Sequence, residues 1–332
     1  MDHYDRDGEG KQSIAEHLHV CGVLFYMIRG QELCGLGEVN MNFGIIGAGI
    51  VGTAIAIRLR QAGHHLVGVH SRSRRSYERF CTYLHHGERR PLEEWLPEAE
   101  LLFITTQDGM IRTAAEELTR RGLYKEGQTW IHCSGSVSSR VMQVDKDLPI
   151  NYLSLHPLQA FAGIDQAVEL IPGTHFGIEG DREDIGLAIV TQLGGIPHQL
   201  DPQQKPLYHA GAVVASNYLV TLVGLAVQLF EEAGITNQEA LESLLPLMKG
   251  ALQNLENVGL PQALTGPIAR GDVDVIRGHL EHMPAKIDPV YRALGLYTLD
   301  IGQKKMELNG GAYAKEVWEE MNSLMVKGTN EL

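Results

Sequence analysis

The chain is short of basic charge, of cysteine and of long apolar runs near its start, and each shortage removes a class of function. Lys and Arg number 28 against 41 Asp and Glu, a formal net charge of −13 over 332 residues. Such a surface repels phosphate backbones, so nucleic acid is not an expected partner, although a local basic pocket for one small phosphate stays compatible. The four cysteines, Cys21, Cys34, Cys81 and Cys133, form no CxxC pair and no regular spacing. In a chain of this size they read as reduced thiols of a cytoplasmic protein rather than as a disulfide framework. The apolar run His19–Ile28 falls short of the ~20 residues a membrane span needs. Asp2, Asp5, Asp7 and Glu9 stand where a signal peptide carries basic residues. Neither a membrane nor export is expected, and the chain reads as cytoplasmic. The histidines, His85 and His86 included, lack ligand spacing, so no metal is expected.

Against these shortages, 44% of the residues are hydrophobic and 21% charged, enough to bury one or two cores, and the length suits two domains. Residues 1–40 match nothing that follows and read as an N-terminal extension, with a short packed hairpin or helix as the alternative. From Met41 the pattern alternates. Strands are expected at 42–46, 65–70, 100–106, 130–133, 152–155, 175–178 and 197–200, with helices at 50–62, 73–86, 109–121 and 183–193. Strands alternating with helices imply βαβ units and a doubly wound parallel sheet over residues 41–200. After Asp201 the alternation stops. One long Ala-, Val- and Leu-rich helix is expected at 207–233, then helices at 237–257, 272–282, 286–307 and 311–326, so residues 201–332 read as an all-helical substrate and dimerisation domain. A helix that apolar is more often buried between partners than exposed.

Gly47, Ala48, Gly49, Ile50, Val51 and Gly52 fit GxGxxG, and the run follows an apolar strand and opens a helix, the context that makes the pattern informative. Gly47 permits the tight turn, Gly49 lets the backbone approach a pyrophosphate, and Gly52 lets helix and strand close up. The helix N-terminus adds free N–H groups and a positive dipole end. At the end of the second strand an NAD site usually places an acid for the ribose 2′-hydroxyl. Here Ser71, Arg72 and Ser73 stand there, with no acid until Glu78. Hydroxyls and a guanidinium favour a 2′-phosphate, so NADP is the expected cofactor.

From about residue 41 to 330 the chain resembles Rossmann-like reductases with a helical C-terminal domain, relatives of pyrroline-5-carboxylate reductase and ketopantoate reductase. Within that group it is most similar to the third type of ketopantoate reductase. The likeness is carried by Ile104–Asp108, Leu155–Gln159, Tyr208–Asn217 and Leu264–Asp272. It implies NADPH-dependent reduction of a carbonyl or imine, often in a homodimer, with 2-dehydropantoate as the first substrate to consider. An imine reductase and an NADP-binding regulator without turnover are the other readings.

Carbonyl reduction needs a proton donor or polariser at the oxygen and, for an α-keto acid, a cation or amide at the carboxylate. Lys205, His209 and Ser216 are spaced to share one helix side, with Asn217 offset by one position. His209 is the sharper proton donor, since imidazole titrates near neutrality, and packing at a domain interface is its alternative. Lys205 is the reserve acid, with Pro206 expected to leave it just outside the helix. His156 and Gln159 follow a strand, where strand C-termini point at the ligand crevice, so they are expected to line the nicotinamide side. Thr105, Thr106, Gln107 and Asp108 end one strand and are expected at the cofactor ribose or nicotinamide, and Ser134 and Ser136 stand in a similar polar turn after the next strand. Thr265 and Arg270 sit between helices; Arg270 either forks onto a substrate carboxylate, or plainly pairs with Asp272 or caps a helix.

Overall fold

A computed structural model describes residues 40–85 and 89–327. The expected extension (apart from Asn40), Cys21, Cys34 and His86 lie outside the described residues. Seven strands form one sheet: β1 (Asn42–Ile46), β2 (His65–His70), β3 (Leu101–Ile104), β4 (Thr129–His132), β5 (Asn151–Pro157), β6 (His175–Gly180) and β7 (Ile196–Gln199). Their order is β2-β1-β3-β4-β5-β6-β7. The chain turns back at β1, so the ends of β1 and β3 border a topological switch point, where doubly wound sheets open a ligand crevice.

The helices of this half cover both faces. They are α1 (Ile50–Gln61), α2 (Arg74–Leu84), α3 (Leu92–Trp95), α4 (Asp108–Arg120), α5 (Ile164–Leu170) and α6 (Glu183–Gln192). One core gathers Phe43, Ile45, Ile55, Leu59, Phe103, Ile131 and Leu155, and the other gathers Val67, Trp95, Leu102, Ile104, Ile111 and Trp130. Residues alternate between the two cores along β3, the period-2 signature of a strand covered on both faces.

Two expectations need correcting. β1 to β5 are parallel, but β6 runs antiparallel to β5, and β7 is parallel to β6. The helix between β5 and β6, α5, has seven residues, about 10 Å, against ~23 Å for β5. It does not retrace the strand, so the chain re-enters the sheet from the end it left. The long helix expected at 207–233 is also two helices, α7 (Lys205–Ala215) and α8 (Asn217–Glu232). Ser216 separates them at φ −116° and ψ −65°, its Oγ donating to Ala212 O at 2.7 Å. Such back-bonding to the preceding turn bends helices.

The chain divides into two units, the first ending at Ala210 and the second beginning at Gly211. The second holds α8, α9 (Asn237–Val258), α10 (Pro267–Arg270), α11 (Val273–Glu281), α12 (Asp288–Leu308) and α13 (Lys315–Val326). Thr236 caps α9 in a full capping box with Glu239. Ile276, Leu299, Tyr313, Met321 and Met325 are buried in one cluster and Val227, Ala240 and Leu244 in another. Among the described residues one stretch, Pro202–Glu232, is long and apolar enough to cross a membrane by length and composition alone.

Candidate active site

The glycine loop is locked from one side and open on the other. Gly47 sits at φ +109°, and a Cβ there would lie 2.7 Å from the Thr105 carbonyl. A Cβ on Gly52 would lie 2.3 Å from Gly47 O and from Thr105 Oγ1. Both positions therefore demand glycine for packing. Thr105 Oγ1 donates to Gly47 O at 2.7 Å, tying the loop after β1 to the loop after β3. Thr105 is thus a strut of the loop, its hydroxyl already committed. Gly49 differs: a Cβ there meets nothing within 4 Å. As N-cap of α1 it supplies no side-chain cap, and the first turn holds no acid. The free N–H groups of Ile50 and Val51 thus face an open approach.

At the end of β2, Ser71 is buried, and its Oγ donates to Ser73 O at 3.2 Å. Ser73 Oγ accepts from Ser76 N and caps α2. Ser71 thus spends its hydroxyl proton within the turn, while Ser73 accepts there and keeps its own O–H. Arg72 is exposed and holds no ion pair among the described residues. Arg89, outside the expected set, donates to Ser71 O at 3.1 Å and lies 5.4 Å from the Tyr77 ring centroid. A hollow of about 290 Å³ beside the turn is lined by His70, Arg89, Arg90 and Arg121. Burial, then the charges of Arg89, Arg121 and Arg72, push His70 below the usual histidine range.

A second group of polar residues collects at the ends of β3, β4 and β5. Asp108, the first residue of α4, accepts hydrogen bonds from Ser134 Oγ and Ser136 Oγ, each at 2.7 Å. Burial opposes its charge, but those two bonds help hold its carboxyl below the usual carboxylate range. Ser134 N donates to His132 Nδ1 at 3.1 Å, and His132 Nε2 is buried without a partner. Burial, aided by the Lys205 charge, pushes His132 down to about 3. His156, at the end of β5, lies with its Nδ1 3.1 Å from Tyr208 Oη. Burial first, then the Lys205 and His209 charges, push His156 down to about 4. The His209 ring stands edge-on to it, centroids 6.0 Å apart, with its own Nδ1 buried and unpartnered. Thr106 makes one weak contact with the neighbouring Gln107 O at 3.4 Å. Gln159 is exposed, its Oε1 accepting from Ala160 N.

Lys205 requires a correction. It is the first residue of α7, not outside it, and is fully buried. Its Nζ donates to Ser134 O at 3.1 Å, to Ser154 Oγ, and to Glu179 Oε1 at 3.1 Å. An ammonium has three donors, so none is left for a substrate. Glu179, also buried, accepts in turn from Ser139 N at 2.7 Å and Ser139 Oγ at 2.9 Å. In the second unit, Ser216 Oγ is taken by Ala212 O and Asn217 Oδ1, with Asn217 exposed. Thr265 is exposed, and Arg270 pairs with Asp272 at 2.7 Å, one of its plainer expected roles. The structure thus brings together His156, His209, Asp108, Ser134 and Ser136 from the expected set, with His132 and Tyr208 added. Tyr208 was legible in principle, since it adjoins His209 in sequence.

Residues 27–157 match a Rossmann-like domain, and residues 174–298 match a domain of unknown function, DUF2520. The chain is a Rossmann-like domain followed by a helical region. No curated protein matches it in sequence. Among solved structures it is similar to a provisionally named NADP oxidoreductase from Bacteroides fragilis, at 24% identity and TM-score 0.62, covering 80% of this chain and 100% of that one. A Thermotoga maritima protein is similar at 22% identity and TM-score 0.57, covering 87% and 98%. The 1-pyrroline-5-carboxylate reductase of Streptococcus pyogenes follows at 16% identity and TM-score 0.52, covering 89% and 100%. At these identities the likeness is one of fold.

Proposed function

We propose that the chain is an NADPH-dependent reductase of a small carbonyl compound, with an α-keto acid as the substrate class. What carries the reading is that two features share the C-terminal edge of one sheet. One is a glycine loop whose outer face is unobstructed at Gly49. The other is a pair of ring donors, His156 and His209, beside the Asp108–Ser134–Ser136 cluster. The loop Gly47–Gly52 would hold the pyrophosphate, Arg72 and Arg89 the 2′-phosphate, and Thr106 with Ser134 the nicotinamide side. When bound, the cofactor supplies a hydride to the substrate carbon. The chain's own share is to polarise the oxygen and deliver a proton, for which His209 is the candidate donor. With Lys205 buried and Arg270 paired to Asp272, the exposed Gln159 amide is the candidate hold on the carboxylate.

The test is NADPH oxidation with 2-dehydropantoate set against 1-pyrroline-5-carboxylate. Turnover on the imine alone would make the protein an imine reductase. Tight NADPH binding with neither substrate turned over would make it a regulator. The cofactor choice has its own expected outcome: NADPH binds at least ~10-fold tighter than NADH, and Arg72→Ala removes most of that margin by deleting a charge-assisted bond worth about 1.5–3 kcal/mol. Fluorescence titration at fixed salt checks this, and equal affinities in the wild-type protein would refute it.

We further infer that the working form is a cytoplasmic homodimer. The second unit exposes Tyr218 and Val220 on α8, Leu247 on α9 and Tyr297 on α12, at 55%, 72%, 69% and 73%. Large apolar side chains this exposed support a surface that a second copy covers. The doubly substituted Val220→Asp, Leu247→Asp protein is expected to run as a monomer by light scattering where the wild type runs as a dimer. Recovery of the wild-type protein only in the membrane fraction would assign the surface to lipid instead.

A further inference from the structure

The rung of the sheet that carries His156 explains why Tyr208 is where it is. Across β5 and β6, His156 pairs with Gly177, and across β6 and β7, Gly177 pairs with His198. Three strands thus present histidine, glycine, histidine in a row. Side chains of directly paired residues share a face, so the glycine leaves a gap between two imidazoles. Tyr208, from α7, fills it. A Cβ on Gly177 would come 3.1 Å from Tyr208 Oη and 2.4 Å from Leu200 Cδ1. The Tyr208 ring stands edge-on to His156 at 5.5 Å and to His198 at 6.4 Å between centroids. Its hydroxyl reaches His156 Nδ1 at 3.1 Å.

A neutral imidazole has one donor and one acceptor nitrogen, and a phenol must place its proton somewhere. If Nδ1 carried the hydrogen, it would donate to Tyr208 Oη, and the phenolic proton would have no acceptor among the described residues. If Tyr208 donates to Nδ1 instead, the phenol and Nδ1 are both satisfied, and the imidazole hydrogen moves to Nε2 as the one group left for a ligand. That nitrogen lies over the loop after β4: a Cβ on Gly135 would be 2.6 Å from it. It makes no hydrogen bond among the described residues. We propose that Tyr208 is a positioning residue that fixes His156 as the Nε2–H tautomer, turning that hydrogen toward the Ser134–Ser136 loop as the polariser of a substrate oxygen. This rests on the reductase reading for its purpose but not for its geometry. Burial keeps the Tyr208 phenol above the usual tyrosine range and His156 well below neutrality. At physiological pH both are therefore neutral, as the bond requires. Gly177 and Tyr208 then form one device, in which the missing side chain on β6 admits the ring from α7.

The test is long-range proton–nitrogen correlation on the full-length protein labelled at histidine nitrogen, recorded above pH 6 without cofactor. Wild-type His156 is expected as the Nε2–H tautomer. Tyr208→Phe is expected to give a mixture of tautomers, with unchanged NADPH affinity and a kcat lowered ~10-fold, the size of one hydrogen bond expressed in a barrier. Gly177→Ala, whose Cβ overlaps Leu200 Cδ1 at 2.4 Å and crowds the phenol at 3.1 Å, is expected to shift the same resonances while Tyr208 is still present. An Nδ1–H signal in the wild type, or an unchanged spectrum in Tyr208→Phe, would overturn the assignment. The expected spectra without turnover on any carbonyl or imine would support the tautomer assignment and sink the reductase reading alone.

Discussion

Gly49→Val abolishes NADPH binding, a rise in Kd of at least ~10²-fold, while circular dichroism and melting temperature stay at wild-type values. The two halves of that result have separate causes. Stability is preserved because a Cβ at 49 meets nothing within 4 Å, and the residue's φ of −78° suits any L-amino acid. Binding is lost because the isopropyl group occupies the space through which a pyrophosphate must reach the N–H groups at the start of α1. Those N–H groups have no side-chain cap to fall back on. The neighbouring glycines provide the control. Gly52→Val drives a side chain into Gly47 O and Thr105 Oγ1, so it lowers stability as well as binding. A Gly49→Val protein that binds NADPH normally would remove the cradle from this loop and with it the main support for the proposed function.

How much of this was readable beforehand depends on the range of the interaction. β1, the glycine turn and α1 follow from local rules, and the structure puts β1 at Asn42–Ile46 and opens α1 at Ile50, where the pattern placed them. The reversal of β6 was not readable, because βαβ logic counts elements and not the distance each connection spans. The break at Ser216 is a milder case: the apolar pattern runs through it unbroken, and no Gly or Pro marks the position where the backbone departs to φ −116° and ψ −65°. At the site, His156 was found because it ends a strand. Its partner Tyr208 was passed over because its role depends on Gly177, 31 residues earlier and visible only through strand register. Ser71 and Ser73 suit a phosphate by type, and their bonds within the turn, from Ser71 Oγ to Ser73 O and from Ser76 N to Ser73 Oγ, depend on backbone geometry that spacing does not carry.

Lys205 shows the same limit at greater energetic cost, and it yields the second large effect. Lys205→Ala is expected to destabilise the protein by about 3–5 kcal/mol, two to four orders of magnitude in the folded-to-unfolded ratio. The ammonium is 0% exposed and its partner Glu179 is 1% exposed. Removing it strands a carboxylate that keeps its two bonds from Ser139 but loses its counter-charge. It also takes a donor from Ser134 O and Ser154 Oγ, both buried, and leaves them only their own contact at 3.4 Å. The penalty belongs to the abandoned partners more than to the ion pair, so it is separable. Lys205→Met combined with Glu179→Gln removes both charges, keeps most of the volume, and leaves an amide oxygen to accept from Ser139. That double variant is expected to recover most of the loss, since well-packed neutral replacements of buried ion pairs are often close to neutral. Urea unfolding midpoints at a common slope measure all three proteins. An Ala variant that unfolds with the wild type but has lost turnover would place the ammonium at the substrate instead. The full burial of Lys205 Nζ among three acceptors argues for the first outcome, because a lysine with every proton engaged inside the protein has none to lend a ligand.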